Sequence, residues 1–180
     1  MAVELTLDGT GEVTASTGLP FFDHMLAQLG RHAGFDLAIT TKGDLEVDAH
    51  HTVEDTGLAL GDALKGALGD KGGIKRYGFA IVPMEEALVR AALDLSGRPY
   101  LAHDVPVPAT VIGEYDPGLT HEFLRALTNR AGITLHLKLL DGRDPHHIVE
   151  AEFKALARAL GEACAPSGRP GTPSTKGVLE

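Results

Sequence analysis

The sequence predicts an α/β protein, an α+β sandwich in which one unit is written twice. Three observations carry this. First, "HHTVE" at 50–54 returns as "HHIVE" at 146–150, an offset of 96. Second, "AGFDLAI" at 33–39 returns as "AGITLHL" at 131–137, an offset of 98, so the copies align with one small gap. Third, apolar periodicity repeats in one order: helix, strand, helix, with further strands before each set. Each half is expected to hold one mixed sheet and two helices, with a first half at 1–85 and a second at 86–180.

The elements follow from local pattern. "LDGTG" at 7–11 reads as a hairpin turn, because Asp-Gly supplies turn conformations. Met25, Leu26, Leu29 and Ala33 recur at helical spacing over 23–33. Phe35, Leu37 and Ile39 alternate with Asp36, Ala38 and Thr40, a strand with one buried face over 35–41. Val53, Leu60, Leu64 and Ala67 share one side of a helix over 51–68. Val89, Ala91, Leu93 and Leu95 alternate along a strand at 87–95. The second copy gives a helix at 120–131 and a strand at 133–139. It ends in an amphipathic helix at 147–163, through Val149, Phe153, Leu156, Leu160 and Ala163. The last segment, "SGRPGTPSTKGVLE", is too rich in Gly, Pro and Ser for a regular element and reads as a loop or mobile tail.

Composition narrows the function classes. Hydrophobic residues make up 43% and charged residues 23%, as in soluble globular proteins. No apolar run reaches membrane-spanning length, and "MAVELTLDGTGEV" does not resemble a signal peptide. The single Cys164 excludes an intramolecular disulfide and fits a reducing cytoplasm. A net charge of −9 without a basic stripe argues against nucleic acid as a partner.

The nine histidines are the unusual feature. A lone His-His doublet near a helix start also fits an exposed cap, with Glu as capping partner. Two doublets, each followed by Val-Glu at matching places of a repeat, point instead to metal. Adjacent helical residues point about 100° apart, while residues three and four apart are surface neighbours. His50 and His51 therefore cannot readily chelate one ion, although each can share a face with Glu54. The same holds for His146 and His147 with Glu150. The expected consequence is two ions, each taking one histidine from each doublet. The repeat nominates the remaining ligands: at an offset of 98, His24 falls on Glu122, with His121 as the alternative. Imidazole and carboxylate without thiolate suit Mn, Fe, Co, Ni or Zn.

Outside these motifs, Arg76 in "KRYG" and Arg98 in "SGRPY" are surface arginines or anion ligands. Arg98 closes an apolar strand, where loops carry function. Ser174, Thr175 and Lys176 in "PSTKG" are tail, or a loop whose hydroxyls, amides and ammonium hold a phosphate. His32, His103 and His136 lack counterparts in the repeat and read as structural or exposed.

Five stretches, "TGLPFFDHML", "DAHHTVEDTGLALGDAL", "VPMEEALVRAALDLSGRPYL", "DPHHIVEAEFKALARAL" and "PSTKGVL", together resemble the imidazoleglycerol-phosphate dehydratase family of histidine biosynthesis. The resemblance runs from about residue 5 to the C-terminus. It implies a tandem pair of similar α/β halves and a homo-oligomer of 24 subunits with octahedral symmetry. It also implies two Mn²⁺ per active site, in sites shared between subunits. By motif match, His24, His50, His51, Glu54, His146, His147 and Glu150 are implied as metal ligands. Arg76, Arg98, Ser174 and Lys176 are implied for substrate, chiefly its phosphate, and Lys154 as a lysine near the substrate. Where the family commonly reads Glu-His-Phe this chain reads "HEF", which places Glu122 at the ligand position. The family's segment ending Lys-x-Glu-Thr, with a glutamate implied at the substrate, lies before the residue at which this sequence starts.

The implied reaction removes water from the diol of an imidazole-bearing glycerol phosphate. The carbon-bound proton has no carbonyl beside it, so the ring must act as the electron sink. Two dications, one on each ring nitrogen, favour the imidazolate that can do this. Glu150 is the expected base and Lys154 a proton partner. A di-metal hydrolase or a non-catalytic metal-binding assembly would use the same ligands; a phosphate-binding set beyond them favours the dehydratase.

Overall fold

A computed structural model describes residues 1–175, 177 and 179. The chain order is β1 (Ala2–Thr6), β2 (Val13–Ser16), α1 (Pro20–Ala33), β3 (Asp36–Thr40), α2 (His50–Leu68), β4 (Tyr77–Met84), β5 (Ala87–Asp94), β6 (Tyr100–Asp104), α3 (Leu119–Ala131), β7 (Thr134–Asp141) and α4 (Pro145–Cys164). No described helix is long and apolar enough to cross a membrane.

The duplication is visible in sheet topology. The first sheet has the order β1-β3-β2 and the second β4-β5-β7-β6. In the first, β3 pairs antiparallel with β1 and parallel with β2. In the second, β7 pairs antiparallel with β5 and parallel with β6. Both sheets are mixed and share one plan, with β4 added outside β5. The division at 85/86 falls in the β4–β5 turn, whereas the change of sheet comes earlier, before β4.

The expected hairpin at 7–11 is not formed, because β3 lies between β1 and β2. Asp36, the first residue of β3, is the physical reason. Its Oδ1 accepts from Thr10 N at 2.7 Å and Glu12 N at 3.0 Å, drawing the connection across the sheet end. Gly9 permits this approach, since a Cβ there would lie 2.3 Å from Asp36 N.

The four helices lie between the sheets. α1 and α2 pack on the first and α4 on the second, while α3 meets β6. The helix pairs are α2 with α3 and α1 with α4, each drawn from both halves. Small residues bring these axes close. A Cβ at Gly57 would lie 2.6 Å from Phe123 O, and one at Gly161 2.5 Å from Ala33 O. A line of buried rings ties α1, α3 and α4: Phe22 meets Phe123 edge-on at 5.4 Å, and Phe123 stacks on Phe153 at 5.4 Å. Each such buried side chain contributes about 1.5–3 kcal/mol.

The glycine-rich C-terminal stretch has no regular element, as expected, but its described part is fastened. Ile74 bridges Pro166, Ser167 N donates to Gly73 O at 2.7 Å, and Gly73 N donates to Gly171 O at 2.9 Å.

Candidate metal and phosphate site

Both doublets start a helix and are set there by an aspartate. Asp144 caps α4, its Oδ1 accepting from His146 N at 2.8 Å and His147 N at 3.3 Å, with Pro145 in the first turn. At α2 the N-cap is Ala49, without a side-chain cap, and Asp48 Oδ1 just before it accepts from His50 N at 2.8 Å. Aspartate, not the histidines or the glutamates, therefore satisfies the helix start, which leaves the imidazoles available. The rings of each doublet diverge. His50 and His51 are 5.9 Å apart at 80°, and His146 and His147 are 6.0 Å apart at 83°.

Two groups related by the repeat result, of which only the first, among the described residues, draws three ligand atoms all within 4.8 Å of one another. Between α2 and α3, ligand atoms of His50, Glu54 and Glu122 all lie within 4.8 Å of one another, an arrangement able to hold a metal ion. Between α4 and α1, Glu150 Oε2 lies 3.2 Å from His146 Nε2 and 3.6 Å from His24 Nε2. His50 corresponds to His146, Glu54 to Glu150, and Glu122 to His24 through the repeat. Each group takes one helix from each half. His121 does not join either group; its Nδ1 faces His103 Nδ1 at 3.2 Å.

A basic side chain accompanies each group. Lys154 Nζ meets Glu150 Oε1 at 2.6 Å. Arg125 Nη2 bonds Glu122 and lies 3.2 Å from Glu54 Oε1. Burial opposes the charge of Glu150, but the Lys154 ammonium, with His24 and His146, outweighs it and holds the carboxyl below its usual range. Glu150 thus stays ionised, balanced by Lys154.

The second histidine of each doublet faces outward from its group and has its own carboxylate. His147 Nδ1 lies 2.7 Å from Glu86 Oε2, and His51 Nδ1 lies 3.4 Å from Asp44 Oδ2. Glu86 is itself held by Asp144 N at 2.8 Å and Arg143 N at 3.1 Å. These amides, with the His147 ring, lower its pKa to about 2. A carboxylate on Nδ1 fixes the tautomer with its proton there and leaves Nε2 as the donor atom. Glu86, Asp44 and Arg125 carry no repeat signal. Glu86 is marked only by the turn "MEEA", where Glu85 has φ 50°.

The second candidate feature is an open cleft of about 860 Å³ lined by Arg76, Tyr77, Arg98, Pro173, Ser174, Thr175 and Leu179. Arg76 is fixed in it. Its Nε and Nη2 bond both oxygens of Asp94 at 2.7 and 3.0 Å, and Nη1 donates to Pro173 O at 2.8 Å. The Asp94 hydrogen bond, against a smaller burial cost, raises the Arg76 pKa further. The Arg98 backbone is pinned by Ser96 and Thr134, while its guanidinium forms no ion pair among the described residues. Arg76, Arg98 and Ser174, which the family resemblance implies for substrate, line this one cleft. Lys176 lies outside the described residues.

Comparison with known proteins gives the same picture. The imidazoleglycerol-phosphate dehydratase family profile matches residues 17–160. The imidazoleglycerol-phosphate dehydratase of Frankia casuarinae is 58% identical over 178 residues, covering 98% of this chain and 91% of that one. That of Acidothermus cellulolyticus is 57% identical over 179 residues, covering 99% and 87%. The crystal structure of the Staphylococcus aureus enzyme superposes with a TM-score of 0.85 at 37% identity, covering 92% of this chain and 94% of that one. The Pyrococcus furiosus enzyme, solved in complex with (S)-C348, superposes with a TM-score of 0.80 at 35% identity, covering 98% and 95%. With sequence profile, relatives and fold in agreement over nearly its whole length, the chain belongs to the imidazoleglycerol-phosphate dehydratase family.

Proposed function

We propose that the chain converts D-erythro-imidazoleglycerol phosphate to imidazoleacetol phosphate and water, with two divalent ions, Mn²⁺ in the first instance, in each active site. The enzyme class and its place in histidine biosynthesis follow from family membership. The observation that carries the finer reading is the pair of matching His/Glu groups, one centred on Glu54 and Glu122 and one on Glu150.

The donor set fits a divalent transition metal. Each group converges imidazole nitrogen and carboxylate oxygen, with no thiolate. His50, Glu54 and Glu122 would hold one ion, and His24, His146 and Glu150 the other. His51 and His147 diverge from these groups and turn Nδ1 to a carboxylate, with Nε2 unpartnered among the described residues, so they suit the ions of neighbouring copies. That is the support for shared sites in a homo-oligomer, of 24 subunits by the resemblance. When bound, the ions supply Lewis-acid charge that favours the deprotonated imidazole ring.

The remaining steps fall to protein groups. Arg76, Arg98 and Ser174 suit the substrate phosphate, since a rigid guanidinium beside one with no ion pair among the described residues offers forked charge-assisted hydrogen bonds. Lys176 would join them. Glu150 has both oxygens engaged, which favours its part as a ligand over its part as a base. Lys154, held against it, is placed to pass a proton to or from the hydroxyls of the diol. The ring would then push out the adjacent hydroxyl, which leaves as water with a proton from Lys154; the amine so formed takes the proton of the neighbouring carbon, and the enol becomes the ketone.

The test is elemental analysis with turnover. Two Mn per chain, dehydration of imidazoleglycerol phosphate, and loss of both in His50→Ala and His147→Ala are expected. Metal binding without any dehydration would overturn the reading.

A further inference from the structure

His103 and Glu152 are used by neither group, yet they form the most deeply buried ionisable pair among the described residues. Glu152 on α4 is fully buried, and its Oε1 lies 2.6 Å from His103 Nε2 on β6. Its other oxygen, Oε2, has no hydrogen-bond partner. A buried carboxylate with one orphan oxygen and one imidazole is under-compensated, and such a group calls for a reason. The imidazole does not end the chain of contacts. His103 Nδ1 faces Nδ1 of the exposed His121, in the first turn of α3, at 3.2 Å, with the rings tilted by 48°.

With Nε2–H donating to Glu152, His103 turns Nδ1 toward His121, and a bound ion would take the place of the proton that the Glu152 pairing otherwise favours on the ring. Two nitrogens bound to one ion at about 2.0–2.1 Å are separated by about 2.8–3.4 Å across octahedral to tetrahedral angles. The observed spacing lies inside that range. A buried carboxylate behind a ligating imidazole is also the usual support of a metal-bound histidine.

We propose that His103 and His121 form an auxiliary metal site, supported by Glu152, for a late first-row ion such as Zn²⁺. The selectivity is chemical. Two imidazoles without a carboxylate ligand favour Zn²⁺, Ni²⁺ or Cu²⁺ over Mn²⁺. The exposed side of His121 leaves room for water to complete the shell. The site is separate from the His50, Glu54 and Glu122 group, because His121 and Glu122 are adjacent in a helix and point apart. An ion there would fasten the first turn of α3, which carries Glu122, to β6.

The test uses the full chain loaded with Mn²⁺, equilibrated with a small excess of Zn²⁺, desalted and analysed for both metals. Wild type is expected to gain one Zn per chain at unchanged Mn. His121→Asn, a surface change that leaves the buried pair intact, should weaken Zn²⁺ uptake at least 100-fold with the Mn count unchanged. Glu152→Gln should weaken it about 10- to 100-fold. No Zn gain, gain matched by Mn loss, or equal gain in wild type and His121→Asn overturns the proposal. The count does not depend on turnover, so failure here leaves the dehydratase reading standing, and the reverse holds too.

Discussion

His24 and Glu150 meet at 3.6 Å across the contact of α1 with α4, far apart in sequence but one turn from the doublet His146–His147 in space. Its counterpart is Glu122 beside Glu54 and His50 across α2 and α3. The two contacts predict separable losses. His24→Asn should remove one of the two ions and leave the other, and Glu122→Gln should do the reverse. Either change should lower turnover by more than the ~10- to 100-fold typical of losing an outer partner of a metal ligand. Metal analysis of each variant checks this; full metal content in Glu122→Gln would remove Glu122 from the ligand set.

Glu86 touches no proposed ion, yet it orients His147 at 2.7 Å. Glu86→Ala is expected to cost about 10- to 100-fold in affinity for one ion while the fold persists. Competition with a chelator of known strength measures it. An unchanged affinity would show that the ring needs no such support.

Asp94 grips Arg76 by two hydrogen bonds, at 2.7 and 3.0 Å. Asp94→Asn should loosen the guanidinium and raise KM for the phosphorylated substrate, with a smaller effect on kcat. Losing one charged hydrogen bond is worth about 1.5–3 kcal/mol, which corresponds to roughly a 10- to 100-fold change. Arg76→Lys should behave similarly, because an ammonium cannot replace the fork. A fall in kcat at constant KM would count against a binding role.

Asp36 sets an acid limit on the first sheet. Its carboxyl is held below the usual 3.8 by the amides of Glu12 and Thr10. A depressed native pKa adds stability that is complete above the unfolded value and lost as pH falls through the folded one. Protection of the 7–12 connection in hydrogen exchange should therefore weaken below about pH 3.8. In Asp36→Asn that dependence should disappear. A variant with wild-type acid behaviour would place the acid-labile group elsewhere.

The sequence carried the long-range logic better than some of the short. The repeat predicted two similar halves and all four helices, because apolar periodicity is written into each copy, and the divergence of His50 from His51 and of His146 from His147 followed from helix geometry. β4 was illegible for the opposite reason. Its outward Tyr77, Phe79 and Ile81 are as apolar as its inward Ala80 and Val82, so alternation gives no signal. The hairpin at 7–11 followed from its turn residues, yet Asp36, from a later strand, supplied stronger partners. Glu86, Asp44 and Arg125 reach the site from a turn, a loop and a helix face that only the folded chain brings together. His103, read as merely structural or exposed, is structural in its burial and gains a neighbour that pattern could not supply.

The substitution of histidine by glutamate between the two copies has an electrical consequence. His24, His146 and Glu150 bring one negative charge to their centre, whereas His50, Glu54 and Glu122 bring two. Counted with these ligands alone, a dication would retain a single positive charge at the first and none at the second, and Lys154 and Arg125 add one positive charge beside each. The two places are therefore unequal, and on the proposed reading they fill in sequence: the neutralising cradle of α2 and α3 first, and the place between α1 and α4 last, where the surviving charge can act on a substrate.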